Sequence, residues 1–470
     1  MTDTVAVTAL PDGDRPALAT LSAAVTLPVL LPDDAGYDAE VAAFNLATRH
    51  RPAVVVRATC ADDVVAAVRH GIATATPVAV QATGHGAAMA ADGVVLVTTS
   101  RMQDVHVDPI AESARVGAGV KWVRVIEAAA PYHLAPLSGS SSDVGAVGYT
   151  LGGGVGPLGR LHGFAADHVR SIDVVTGDGE QRTVTHRSDP DLFWALRGGK
   201  GNFGIVTSME VGLVPVTQLY AGGIFYAGEH AAAVLHTWRR WVDTLPEETS
   251  TSVALLRLPD HDDVPPPLRG VLSVHLRVAH AGDQAEGERL VATMRAAAPS
   301  LADLVRPMPF TECDSIHLDP TDPLPFWESA RLLRELPTGG IDRLVEVAGP
   351  GRELPLAMVE LRHLGGALGR PARVPNAVAG RDAAFSVFVL GPAVPGLEEA
   401  VPAAGRAVLD VFAPYLAGSR LVNFLGEDTD PDTVARAWSP EDSARLRELK
   451  AAYDPAGIFT VGHCLPTDLA

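Results

Sequence analysis

The sequence predicts an α+β fold with two domains, the second built on an antiparallel sheet backed by helices. Its length is the first observation, because 470 residues exceed what one hydrophobic core ordinarily serves. The second is a change in sequence pattern near Pro215. Short β-type runs and many glycines precede this residue, whereas longer apolar strands and amphipathic helices follow it. We therefore expect one domain over residues 1–216, another over 217–419, and a segment over 420–470 that returns to the first.

The first predicted domain consists of short elements. Residues 52–57 form an apolar, β-branched run typical of a buried strand, and residues 62–71 predict a helix that begins with acidic residues and ends at a glycine. A Gly-Asp-Gly turn at 177–179 predicts a hairpin of residues 171–175 and 181–185. Further strands are predicted over 77–81, 94–98 and from 115 to 117, and a further helix over 121–130.

The second predicted domain carries longer elements. Apolar runs predict strands over residues 252–258, 270–278, 354–364 and 384–390. Helical periodicity predicts helices over 230–244, 282–297 and 397–413, and a charged helix over 441–452 in the tail. Strands with helices behind them are typical of an antiparallel sheet covered on one face.

Composition excludes several classes of partner. The formal net charge of -19 repels phosphate backbones and anionic lipid, so we expect no nucleic-acid partner and no membrane partner. Residues 1–21 lack a basic segment followed by an apolar one, and the three scattered cysteines offer no metal-binding or disulfide spacing. These features favour a cytoplasmic protein, and they leave open whether it forms a homo-oligomer.

Three glycine-rich segments predict a binding site for a phosphorylated ligand. They cover residues 82–86, 139–156 and 197–206. Without a Cβ, such loops let backbone N–H groups approach an anion closely, and several together suit a pyrophosphate joined to a flat ring system. Residues 154–159 also match the dinucleotide fingerprint G-x-G-x-x-G, but no apolar strand precedes them and Pro157 interrupts the motif. We therefore do not expect a Rossmann domain.

The same segments resemble a known family of flavoproteins. The motifs that carry the resemblance are Gly84-His85-Gly86 and residues 139–156, 160–167 and 191–207, with further matches in the C-terminal half at 360–367, 423–424 and 449–455. They are similar to the PCMH-type FAD-binding domain of the vanillyl-alcohol oxidase and p-cresol methylhydroxylase superfamily, and nearest to its berberine bridge enzyme-like and hydroxynicotine oxidase-like branch. The likeness covers nearly the whole chain and implies an FAD-linked oxidase.

The resemblance implies FAD held covalently by a single 8α link to His85. A second family anchor, a cysteine, is replaced here by Ser141, and a hydroxyl is a far weaker nucleophile than a thiolate. The small side chain of Val144 matches a position that goes with access of dioxygen to the flavin. The residues implied to hold the cofactor are His85, Gly84, Gly86, Gly139, Ser140, Ser141, Val144, Gly145, Gly148, Gly153, Gly154, Asn202, Gly204, Ile205, Val206 and Asn423.

The usual catalytic base of the family is missing from its place. Relatives carry a tyrosine two residues before the asparagine that matches Asn423, whereas this chain has Leu421. We therefore expect the catalytic residues among Tyr149, Glu360 and His363, with His162 as a further candidate. The alternative is a reaction that needs no strong base, such as oxidation of a neutral amine, which can release hydride directly.

Two of these candidates have alternative interpretations. Tyr149 matches a position near the flavin N1 and C2 carbonyl, where it either donates a hydrogen bond to the reduced ring or only packs. Glu360 stands two residues from Arg362 on one strand face, so it is either a base with a raised pKa or one half of a structural salt bridge.

The expected reaction is hydride transfer from a small alcohol, amine or reduced ring to the flavin, with dioxygen as the final acceptor and hydrogen peroxide as a product. What relatives do implies that the reaction is a tailoring step in a biosynthetic pathway. No metal is expected. The missing tyrosine at Leu421 keeps a redox-neutral cyclisation or isomerisation on the same fold as an alternative. A non-catalytic flavin carrier is a further one.

Overall fold

The computed structural model describes residues 15–216 and 218–466, so residues 1–14 of the N-terminal stretch and Thr217, where the second predicted domain begins, lie outside the described residues. The helices are α1 (Arg15–Ala24), α2 (Tyr37–Val41), α3 (Ala61–Thr74), α4 (Trp122–Ala129), α5 (Ala146–Leu151), α6 (Gly159–His162), α7 (Pro190–Leu196), α8 (Ala231–Trp241), α9 (Gln284–Arg295), α10 (Thr338–Ala348), α11 (Ala400–Asp410), α12 (Pro431–Ala435) and α13 (Pro440–Tyr453). No helix in these ranges has the length and apolarity needed to cross a membrane.

The strands confirm a mixed α+β fold. They are β1 (Val54–Arg57), β2 (Val78–Gln81), β3 (Val95–Thr98), β4 (Val105–Asp108), β5 (Ser113–Gly117), β6 (Leu134–Ala135), β7 (Val169–Thr176), β8 (Gln181–Val184), β9 (Gly204–Gly212), β10 (Val214–Pro215), β11 (Leu219–Ala227), β12 (Thr249–Arg257), β13 (Leu272–His280), β14 (Ser300–Asp303), β15 (Arg306–Met308), β16 (Phe326–Leu333), β17 (Met358–His363) and β18 (Phe385–Pro392).

Two main sheets form the N-terminal half. In the first, β3 pairs in parallel with both β1 and β2, and α3 packs against these strands through a shared apolar core. The second is antiparallel, in the order β4-β5-β9-β7-β8. The predicted hairpin is confirmed as β7 and β8, with Val175 opposite Gln181.

An eight-stranded antiparallel sheet dominates the C-terminal half. Its order is β14-β11-β13-β12-β17-β18-β16, with β15 beside β11. Trp238 of α8, Ile341 of α10 and Val408 of α11 pack in one core with Val253 and Val387 of the sheet. The prediction of an antiparallel sheet backed by helices is therefore confirmed, and the other face of the sheet is free to line a site.

Several elements have no counterpart among the sequence-based expectations, among them β11, β16 and α10. The middle of β11 holds Gly222 and Gly223, and glycine is disfavoured inside strands. A Cβ on Gly223 would lie 2.2 Å from His275 Nε2, so close packing against β13 requires glycine there. Helix α10 opens with Thr-Gly-Gly, a weak helix-forming start that burial of Ile341 and Leu344 overcomes.

The C-terminal tail packs against the N-terminal half. Lys450 of α13 is buried, and its Nζ donates to the backbone oxygens of Phe459 and Asn202 at 2.8 and 3.2 Å. The Asp454 carboxylate lies 3.3 Å from the same nitrogen, as a buried charge requires. The backbone N–H of Leu465 donates to Asn202 Oδ1 at 2.8 Å. These contacts hold residues 459–464 at the edge of the site described next.

Candidate active site

A cavity of about 1350 Å³ lies between the glycine-rich loops and the free face of the eight-stranded sheet. Drug-sized ligands occupy pockets of roughly 300–1,000 Å³, so this space accommodates a dinucleotide together with a small substrate. The predicted cofactor residues that line it are Gly84, His85, Gly86, Gly139, Ser140, Ser141, Val144, Gly145, Gly148, Gly204, Ile205, Val206 and Asn423.

His85 presents a neutral, partly unpaired imidazole to this cavity. Its Nδ1 lies 2.8 Å from Thr83 Oγ1, and its ring stacks on Phe44 with centroids 3.8 Å apart. Its Nε2 is buried and has no hydrogen-bond partner, while Asp143 Oδ2 stands 4.0 Å away. Burial lowers the pKa of His85 to about 4, although Asp143 acts in the opposite direction. The free nitrogen is therefore available to bind a ligand atom.

The loop that carries His85 depends on glycine at one position. Gly84 has φ +74°, and a Cβ there would lie 2.6 Å from the Cα of Ala43. A side chain would therefore meet both backbone strain and a clash. The close-packed turn, the unpartnered His85 Nε2 and the glycines of residues 139–148 together fit FAD, whose pyrophosphate accepts hydrogen bonds from backbone N–H groups and whose ring offers further polar atoms to a free nitrogen.

Three predicted cofactor residues do not line the cavity, and this corrects the expectation for them. Gly153 packs beside Val378, and a Cβ on Gly154 would lie 2.4 Å from the ring of Tyr149. Asn202 is buried, where its amide nitrogen donates to the Gly199 oxygen at 2.8 Å while its side-chain oxygen holds the tail. These residues shape and brace the walls.

Tyr149 lines the cavity with an unused hydroxyl. Its Oη is buried without a hydrogen-bond partner, and burial raises its pKa, so the phenol stays protonated at neutral pH. The ring packs close to Gly139, where a Cβ would lie 2.9 Å away. Its backbone oxygen accepts a hydrogen bond from Asn423 Nδ2 at 2.8 Å, which joins α5 to the C-terminal segment.

Glu360 lines the opposite wall and is held in ion pairs. Its carboxylate accepts from Arg277 Nη1 at 2.5 Å, from Arg362 Nε at 2.9 Å and from Ser252 Oγ at 3.2 Å. Burial alone would raise the pKa of Glu360, but the two guanidinium groups outweigh it and the pKa is lowered. The salt-bridge interpretation is therefore confirmed, and the alternative, a base with a raised pKa, is contradicted.

His363 does not belong to the cavity wall. Strand alternation places it on the face of β17 opposite Glu360, where its Nε2 lies 3.0 Å from Arg160 Nη1 and its ring stacks on Phe385. Burial lowers its pKa to about 3. His162 likewise does not line the cavity, and burial lowers its pKa too. These positions argue against either histidine as the base.

Lys200 and Glu328 are cavity residues that sequence reasoning missed. Lys200 adopts φ +56°, a left-handed conformation in which glycine is ordinarily favoured, and its Nζ lies 3.8 Å from where a Cβ on Gly86 would stand. Burial lowers the pKa of Lys200 to about 8 and raises that of Glu328 to about 7, while each group partly offsets the shift of the other. No ion pair joins these two described residues. A lysine within a glycine run was a usable signal, whereas nothing local distinguishes Glu328.

Comparisons with known proteins agree with this geometry. A family model described as FAD binding domain matches residues 52–185. The chain is 28% identical over 456 residues to (R)-6-hydroxynicotine oxidase of Paenarthrobacter nicotinovorans, covering 92% of this chain and 94% of the relative. It is 25% identical to a solved structure, that of 6-hydroxy-D-nicotine oxidase from Arthrobacter nicotinovorans, with a TM-score of 0.82 over 94% of this chain and 98% of that one.

A second solved structure extends the agreement in fold. BBE-like 1 of Physcomitrella patens superposes with a TM-score of 0.84 at 19% identity, over 96% of this chain and 100% of that one. The resemblance that the glycine-rich motifs predicted is therefore confirmed: the chain is an FAD-linked oxidoreductase with an FAD-binding domain, similar along nearly its whole length to a hydroxynicotine oxidase and, in fold, to a BBE-like protein.

Proposed function

We propose that the protein oxidises a small organic molecule by hydride transfer to an FAD that is attached through a single bond to His85. An alcohol, an amine or a reduced ring loses two electrons and two protons, and dioxygen takes them up to form hydrogen peroxide. When bound, FAD supplies the ring that accepts the hydride and then reduces dioxygen. The observation that carries the proposal is the buried, unpartnered Nε2 of His85 in the wall of a large cavity.

His85 is prepared for bond formation by its surroundings. An imidazole nitrogen attacks an electrophilic carbon only through a free lone pair, so the proton must reside on the other nitrogen. Thr83 Oγ1 can accept a hydrogen bond from Nδ1–H at 2.8 Å, which favours that tautomer. Asp143, held by Lys121 Nζ at 2.6 Å, lies close enough to stabilise positive charge that develops on the ring.

The cavity residues favour a single covalent bond to FAD and leave room for dioxygen to reach it. Ser141 lines the cavity where the family has a second, cysteine anchor, and its hydroxyl is too weak a nucleophile to replace a thiolate. Val144 lines the cavity as well, and its small side chain leaves space for dioxygen. Tyr149, protonated because burial raises its pKa, can donate a hydrogen bond to negative charge on the reduced cofactor.

Glu328 is our candidate for the proton acceptor. It lines the cavity, forms no ion pair or side-chain hydrogen bond among the described residues, and has a pKa raised to about 7 by burial. A base whose pKa lies near the working pH combines adequate ionisation with adequate basicity. Glu360, by contrast, is ionised but fully engaged by Arg277 and Arg362.

The first experiment is acid precipitation of the purified protein and of His85→Ala. We expect a yellow wild-type pellet and a colourless variant pellet, because only a covalent link survives denaturation. An oxygen-electrode screen of alcohols and amines then identifies substrates. Flavin released from the wild-type protein would contradict the covalent link, and oxidation without oxygen consumption would contradict the oxidase.

A redox-neutral cyclisation or isomerisation is the second candidate function. It is favoured by Leu421, which occupies the place of the family tyrosine and packs in an apolar cluster with Leu332 and Val378 beside the cavity. That wall offers no phenolate to a substrate. Stoichiometric oxygen uptake with product would exclude this candidate.

A further inference from the structure

We propose that the cavity recognises a carboxylate on its substrate through the guanidinium of Arg362. This inference rests on the proposed function, because it names the class of substrate that would lie over the cofactor. It is carried by the distribution of used and unused hydrogen-bond donors on the free face of the sheet.

Arg277 and Arg362 stand in one row across the sheet. Ser252 of β12 lies between them, opposite Arg277 on one side and opposite Arg362 on the other, and Ser386 continues the row on β18. Glu360 lies two residues before Arg362 on the same face of β17, and its carboxylate bridges both guanidinium groups. The sheet register thus concentrates two positive charges and one negative charge on one part of the cavity wall.

The two arginines differ in how many of their donors are used. In Arg277, Nη1 donates to Glu360, Nε donates to His275 Nδ1 at 3.1 Å and Nη2 contacts Met358 Sδ at 3.5 Å. In Arg362 only Nε donates, to Glu360 at 2.9 Å. Its two terminal amino groups have no partner among the described residues and are not buried by protein, since Arg362 lines the cavity. They form an unused fork.

The charges around this fork favour an anion. Glu360 neutralises only one of the two arginines that it bridges, so the ion-paired cluster keeps one positive charge. Asp319 is a further carboxylate facing the cluster, but it forms no ion pair with either arginine within the described ranges. His275 and His317 also face it, and burial holds the pKa of each well below the usual value, so both remain neutral.

Neutral donors lie at the same end of the cavity. Tyr149 Oη is buried without a partner, and the ring is close enough to Arg362 for the guanidinium to lower the phenol pKa against the larger effect of burial. Ser386, the cross-strand neighbour of Arg362, lines the same cavity. A guanidinium fork with the Ser386 hydroxyl beside it is suited to two carboxylate oxygens.

The same arrangement predicts discrimination against neutral analogues. A carboxylate bound to a guanidinium makes charge-assisted, bidentate hydrogen bonds, which are roughly twice as strong as neutral ones. An amide of the same shape would present one acceptor and place an N–H group against the fork. Arg362 is therefore a specificity-determining residue for an acidic substrate.

The test is calorimetric titration of the purified holoenzyme with benzoate and with its neutral isostere benzamide. We expect benzoate to bind at least about tenfold more tightly, and Arg362→Gln to bring the two affinities within about twofold of each other. Arg370→Gln is the matched control, since Arg370 is exposed and pairs with Glu247. Equal affinities in the wild type, or an unchanged preference in Arg362→Gln, would overturn the proposal.

A second variant covers a failure of Arg362→Gln to fold, which flavin content and circular dichroism would reveal. Arg362→Lys keeps the charge but lacks the fork, so the preference for benzoate should fall severalfold without disappearing. An undiminished preference in this variant would overturn the role of the fork. Because this experiment measures binding, its result is independent of turnover. Absence of oxygen uptake would contradict the proposed oxidase, whereas absence of a benzoate preference would contradict only the assignment of the substrate class.

Discussion

Thr83 Oγ1 and His85 Nδ1 lie 2.8 Å apart, so a threonine two residues upstream engages this nitrogen, while Nε2 has no hydrogen-bond partner among the described residues. Removing this acceptor without changing side-chain shape tests its importance. In Thr83→Val we expect covalent flavin incorporation to slow by about fivefold, as loss of a hydrogen bond worth about 1 kcal/mol implies. The measurement is the time course of acid-stable flavin fluorescence after FAD is added to protein purified without it.

The matched control is Thr74→Val, which removes a threonine hydroxyl that only contacts the backbone oxygen of His70 and the side chain of Thr76. This variant should incorporate flavin at the wild-type rate. Equal rates in Thr83→Val and Thr74→Val would mean that the tautomer is set by other groups.

Gly84 should be the least tolerant position of the His85 loop. In Gly84→Ala the new Cβ would lie 2.6 Å from Ala43 at a φ of +74°, so we expect the free energy of unfolding to fall by about 2 kcal/mol or more. In Gly86→Ala the nearest atom would be Lys200 Nζ at 3.8 Å, and we expect little change. Urea unfolding of both variants checks the comparison, which would fail if the two lost stability equally.

The glycine-rich loops could be predicted from sequence because their requirement is local. A left-handed φ or a close backbone approach demands glycine at that residue, so the spacing of glycines reports the loop without knowledge of the fold. Membership of a motif does not separate contact from support, however. Gly154 packs against Tyr149 and Asn202 holds the tail, although both belong to motifs that line the cavity elsewhere.

The substrate wall could not be predicted to the same depth, because it depends on register between distant strands. Alternation along β17 correctly separates Glu360 from His363, but it cannot say which face meets the cavity. The pairing of Glu360 with Arg277 joins residues 83 positions apart in sequence. Glu328 lies on a strand that the sequence did not predict, so no pattern marked it as part of the site.

Glu360 should contribute to stability more than an exposed carboxylate does. In Glu360→Gln, Arg277 and Arg362 lose the buried charge between them, and breaking such a pair typically costs about 3 kcal/mol. Glu312→Gln removes an exposed partner of Arg306 and should cost no more than about 1 kcal/mol. Chemical denaturation of the two variants measures the difference, and similar losses would mean that water in the cavity screens the cluster.

Glu328 predicts the pH dependence of turnover. A proton acceptor must be ionised, and burial raises the pKa of this carboxyl to about 7, so the active fraction falls as pH drops below that value. We expect kcat/KM, measured with a substrate found in the oxygen screen, to rise about tenfold per pH unit up to neutrality and then to level off. In Glu328→Gln the rise should disappear and kcat/KM should fall by roughly 10²–10⁴-fold. Glu312→Gln, an exposed glutamate outside the cavity, should retain the wild-type profile. If Glu328→Gln kept the same rise with pH, the titrating base would have to be another group.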